Sequence, residues 1–201
     1  MKKILPAFSY IFHPLFVSVY AALLYFLFAH QYFYSYEIIL VSVQVLILTV
    51  LLPISIYYLL HSLGLVHSTM KLDKKERKIP LIIQALLLGI MLYQGFGNTT
   101  IPELYYYFAG YLISTVLAIV MILFNQKSSL HIMGVSALTV FLISLSLHFH
   151  LSLNYIIAFF ILCTGFTASS RLFLKAHTPN ELLQGLLIGI IPQIALWHWW
   201  L

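Results

Sequence analysis

Seven runs of apolar residues organise the chain, at roughly 8–29, 38–61, 80–96, 104–125, 130–147, 153–173 and 179–200. A helix needs about 20 such residues to cross the hydrocarbon core of a bilayer. The runs are continuous rather than alternating, which excludes a transmembrane β-barrel. At 62% hydrophobic and 7% charged over 201 residues, the composition also excludes an ordinary soluble domain. The expected fold class is all-α: a polytopic transmembrane helical bundle of six to seven helices, one integral membrane domain over residues 1–201. In the six-helix alternative one segment lies in the interface. Pro53 falls inside the second run, where a kink is tolerable if neighbouring helices repair the backbone bonding. Pro80 opens the third at a favoured first helical position.

Met1-Lys2-Lys3 before an apolar stretch imitates a signal peptide, but no small-x-small cleavage site follows, so a retained first helix is expected. Cys163 is the single cysteine, which rules out an intramolecular disulfide.

With seven spans, all ten basic residues fall on one face of the membrane: Lys2, Lys3, the run Lys71 to Lys78, Lys127, Arg171 and Lys175. The opposite face carries Tyr32, Tyr34, Tyr36, Tyr105, Tyr106, Trp197, Trp199 and Trp200, which reads as an interfacial aromatic belt. By the positive-inside rule the basic face is expected to be cytoplasmic. The net charge of +5 has no soluble module to carry it, so no nucleic-acid partner is expected. Headgroups and phosphate substrates account for the cations more simply.

Three polar clusters share that basic face: Lys71-Leu72-Asp73-Lys74-Lys75-Glu76-Arg77-Lys78-Ile79-Pro80, then Lys127-Ser128-Ser129-Leu130-His131, then the stretch from Ser170 to Glu181. Two helices separate each from the next, so the chain returns to the same side and all three can meet. The third sets a cation, an imidazole and a carboxylate at a membrane edge, where polar groups mark a site. The grouping suits a phosphate: Arg171 to hold oxygens, His177 to attack phosphorus, Glu181 to orient the ring.

The layout resembles the type 2 phosphatidic acid phosphatase (PAP2) superfamily. Its pattern is Lys, six residues, Arg-Pro; then Pro-Ser-Gly-His; then Ser-Arg, five residues, His, three residues, Asp. Ser170-Arg171, five residues, His177, three residues, Glu181 keeps every spacing of the third part, with Glu for Asp. Ser128-Ser129-Leu130-His131 keeps the Ser and His of the second part and lacks its Pro and Gly. In the first part Lys71 and Lys78 are correctly spaced, Ile79 precedes Pro80, and Arg77 competes with Lys78 for the second position. The motifs lie within 71–182, and two transmembrane helices, within 1–61, precede them.

The resemblance implies a PAP2-like core and a lipid phosphate or diphosphate as substrate. His177 would be the nucleophile, Glu181 would hold its ring, and His131 would protonate the leaving oxygen. Arg171, Lys71, Lys78 or Arg77, and Ser129 would bind phosphoryl oxygens. No metal or other cofactor is expected, since Arg and Lys supply the positive charge. The expected location is a bacterial inner membrane. A non-catalytic relative that binds lipid phosphate, or serves a structural or transport role, is the alternative.

Plainer readings stand beside these. Thr178-Pro179-Asn180-Glu181 is a good helix start, with a capping Thr, Pro first and Glu three residues after the cap. On that reading Glu181 bonds only backbone amides, although both roles can coexist. His148 and His150, with no carboxylate or cysteine joining them, read as interfacial residues; His61 and His67 read as edge positions. His13 and His30 carry no usable signal. Gly185 and Gly189 form a small-xxx-small pair suited to close helix packing. The polar mid-segment residues are Gln44, Gln84 and Gln193, none ionisable, which argues against a small transporter.

Overall fold

The computed structural model describes residues 4–64, 78–95 and 101–201. Among them the regular structure is helical throughout: α1 (Ile4–Ile11), α2 (Pro14–Ala29), α3 (Ser35–Leu46), α4 (Leu52–Ser62), α5 (Lys78–Ile90), α6 (Pro102–Leu123), α7 (Leu130–His148), α8 (Asn154–Phe173) and α9 (Pro179–Ala195). A π-turn, Ile47–Leu51, joins α3 and α4 into one rod. Among the described residues seven helical stretches are long and apolar enough to cross a bilayer, including Ser35–Ser62 as one span. The chain is an all-α helical bundle and an integral membrane protein.

Prolines set several of the boundaries. Pro53 has no amide hydrogen, and its ring crowds the carbonyl one turn back. The widened turn before α4 absorbs that clash within a continuous span. Pro14 acts differently. The residue before a proline is driven out of the helical region, and His13 takes φ −66° and ψ 138°. The first apolar run, expected as one helix over 8–29, is therefore broken. Its first part is the short helix α1, which packs along α8, with Phe8 against Phe166 at 5.0 Å between ring centroids.

Helix α7 is the central element. It is 72% buried, against 17–39% for the other six spans, and packs on α9, α8 and α2. Lipid offers no hydrophobic drive to helix association, so close van der Waals contact must supply it. Gly185 and Gly189 of α9 make that contact possible. A Cβ on Gly185 would lie 2.5 Å from the Ser129 carbonyl oxygen, and one on Gly189 would collide with Ser136 and the Met133 carbonyl. Tyr107 of α6 packs on Phe141 of α7 with ring centroids 4.6 Å apart. Thr115 and Thr139 turn their buried hydroxyls back on their own helices, to Tyr111 O and Val135 O, both at 2.8 Å.

At the end of the bundle rich in Tyr and Trp, the structure corrects one reading. His148 is not a lone interfacial residue: its Nε2 lies 3.1 Å from Oε1 of Glu103. The other oxygen of that buried carboxylate accepts from Tyr25 Oη at 3.0 Å. Glu103 opens α6 and His148 closes α7, so only the packing of those two helices joins them.

Candidate active site

A cavity of about 610 Å³ opens at the end of the bundle where the basic residues gather. Its walls come from the last turns of α4 (Tyr57, Leu60), the first of α5 (Pro80, Leu81), the start of α7 (His131), the end of α8 (Arg171) and the following loop (His177). Residues far apart in sequence therefore meet at one end, as an even number of crossings between clusters requires.

The third cluster is built by two helix ends. Helix α8 stops in a Schellman turn: Lys175 adopts φ 51°, its amide reaches Leu172 O at 2.9 Å, and the Ala176 amide reaches Arg171 O at 3.0 Å. The chain then re-enters a helix at Pro179, with Thr178 as cap. Thr178 Oγ1 accepts the Glu181 amide at 3.4 Å, and Glu181 Oε2 accepts the Thr178 amide at 3.2 Å. The same carboxylate oxygen accepts from His177 Nδ1 at 2.8 Å. Capping and ring orientation thus coexist in Glu181. With the proton held on Nδ1, the lone pair of the neutral ring resides on Nε2.

The second cluster abuts the third. Ser129 caps α7 by position, and its amide donates to the Glu181 carbonyl at 3.0 Å. Lys127 Nζ donates to Ala176 O at 3.2 Å, tying the two loops together. His131, in the first turn of α7, faces the cavity with Arg171 and His177. Arg171 is half-buried, and its Nε is buried with no hydrogen-bond partner among the described residues.

Of the expected phosphate-binding set, three members fall among the described residues: Arg171, Ser129 and Lys78. Arg171 lines the cavity, whereas the Ser129 hydroxyl is fully buried with no partner among the described residues and does not line it. Lys78 is exposed at the start of α5 and contributes no wall, although Pro80 does. Lys71 and Arg77 lie outside the described residues, as does His67. Among the described residues no three His, Cys, Asp or Glu side chains group as metal ligands.

His13 and Ser9 are among the cavity residues that escaped the sequence reading. The His13 ring sits 5.2 Å from that of His131, edge to face at 85°. Burial, and then the Arg171 guanidinium, push the His13 imidazole below its ordinary 6.5. The signal that could have found His13 is the proline after it, which ends a helix on the basic face.

No family model, curated protein or solved structure matches the chain.

Proposed function

We propose that the chain is a membrane phosphatase of PAP2 type, hydrolysing a lipid phosphate or diphosphate through a phosphohistidine. The observation that carries this is one cavity that gathers His131, His177 and Arg171 within a lining that is otherwise mostly apolar. An amphiphile fits that lining. Its phosphate would meet the imidazoles and guanidinium, and its tail would run along Pro53, Ile54 and Tyr57 of α4 and Pro80 and Ile83 of α5.

The residues present divide the chemistry. His177 Nε2 attacks phosphorus while Glu181 holds Nδ1–H and stabilises the cationic ring. Arg171, whose Nε has no partner among the described residues, offers donors to the equatorial oxygens, where phosphoryl transfer needs most stabilisation. His131 gives its proton to the leaving oxygen. It then takes one from the water that cleaves the phosphohistidine. A positioned acid of this kind contributes roughly 10²–10⁴-fold. The basic end of the bundle would face the cytoplasm of a bacterial inner membrane, following the basic residues.

Phosphate release from a panel of lipid phosphates and diphosphates tests the proposal. His177→Ala should abolish release while the purified protein keeps its helical content and melting behaviour. Retained turnover in that variant would overturn the nucleophile assignment. A second reading, lipid-phosphate binding without chemistry, draws on Leu130 in place of the family's glycine and on the Ser129 hydroxyl lying outside the cavity. Vanadate binding by a wild type that hydrolyses none of the panel would select it.

A further inference from the structure

We propose that His13 is a positioning residue: it fixes the ring of His131 in the orientation from which that imidazole serves the cavity. The catalytic consequence rests on the phosphatase reading; the contact between the rings does not.

His13 is itself held on two sides. Its backbone is extended because Pro14 follows. Its Nδ1 accepts the Leu15 amide at 3.4 Å, capping α2 and placing the proton of the neutral ring on Nε2. A ring so restrained can act as a fixed wall, and its edge-to-face contact with His131 supplies one. The chain just before it adds a second restraint, since His131 lies against the backbone of Ser9. The arm bearing both residues is locked to α8. Ser9 Oγ and Ser170 Oγ are 2.7 Å apart, both residues buried, and Ser170 immediately precedes Arg171. Phe12 meets Phe160 at 6.1 Å between ring centroids. The helix break at His13 thus turns an N-terminal segment without a PAP2 motif into part of the site.

The role can be separated from simple folding with His13→Asn. Asparagine is a good helix cap, so the bond from the Leu15 amide can be kept while the ring is lost. Two substrates are compared on the full chain in detergent: a lipid phosphate monoester, whose alkoxide needs a proton to leave, and an activated aryl phosphate, which does not. His13→Asn should lower kcat for the lipid about tenfold, a part of what a positioned acid contributes. KM for the lipid should stay within about twofold of wild type, as should the burst rate at which the aryl ester phosphorylates the enzyme, a step that precedes deprotonation of the water. An equal loss in that burst rate, or a rise in KM alone, would overturn the proposal.

A readout independent of turnover is the ring signal of His131 in histidine-labelled protein, assigned by its loss in His131→Gln. His13→Asn should displace that signal, and His148→Asn, at the far end of the bundle, should not. An unmoved His131 signal overturns the contact whatever the enzyme does. A displaced signal in a protein that hydrolyses nothing upholds the positioning contact and overturns the phosphatase reading instead.

Discussion

Glu181 Oε2 lies 2.8 Å from His177 Nδ1 and 3.2 Å from the amide of Thr178. One carboxylate oxygen therefore starts helix α9 and orients the imidazole that faces the cavity. The cap fixes the carboxylate, and the carboxylate fixes the ring.

The two roles can be pulled apart by mutation. Thr178→Ala removes the side-chain cap and should cost about 1 kcal/mol of stability, with turnover nearly unchanged. Glu181→Gln should reduce turnover by roughly 10²–10⁴-fold, since an amide oxygen supports a cationic ring poorly. Melting curves and phosphate release on both variants check this. Comparable turnover in Glu181→Gln and wild type would leave Glu181 as a cap alone.

Gly185→Ala should be among the most damaging small substitutions. Its new Cβ meets the backbone of Ser129, which cannot rotate away. Overpacking of this kind costs about 1–3 kcal/mol, and the displaced start of α7 would carry His131 with it. Gly165→Ala, whose Cβ meets open space, is the control and should be neutral or slightly stabilising. Matching melting temperatures for the two variants would contradict the close contact.

Glu103→Gln tests the far end of the bundle. The carboxylate accepts from Tyr25 and faces His148 while almost wholly buried. The amide offers one acceptor where two are used, leaving a buried group unmatched at about 1–3 kcal/mol. Stability should fall, and turnover should hold at temperatures where the variant is folded. An unaltered melting temperature would show that this buried trio adds nothing to the fold.

Stability should also depend on pH through His13. Its imidazole is depressed below the 6.5 of the unfolded chain, first by burial and then by Arg171. Between the folded and unfolded values the unfolded chain binds more protons, so stability rises with pH across that window. The contribution is complete above about 6.5 and is lost as pH falls toward the folded value. His13→Asn should flatten the slope of melting temperature against pH just below 6.5. An identical slope in both proteins would rule out His13 as its source.

Much of the architecture is legible before folding. Spanning length follows from the apolar runs, because hydrocarbon thickness sets a helix length that composition alone can meet. The cap at Thr178, the helix opened at Leu130 and the tight packing at Gly185 are likewise local signals, each readable within a few residues. The spacing of Arg171, His177 and Glu181 is local too, since the last turn of α8, one loop and the first turn of α9 hold all three.

What the sequence could not determine is which distant groups meet. Glu103 and His148 pair across two helix ends, His13 comes to rest on His131, and the Ser129 hydroxyl turns away from the cavity that its neighbour lines. Periodicity and spacing report which residues share a helix or a face of the membrane. Rotation of each helix about its axis, and the distance between axes, are set by how side chains interlock in three dimensions, and those two quantities select the partners.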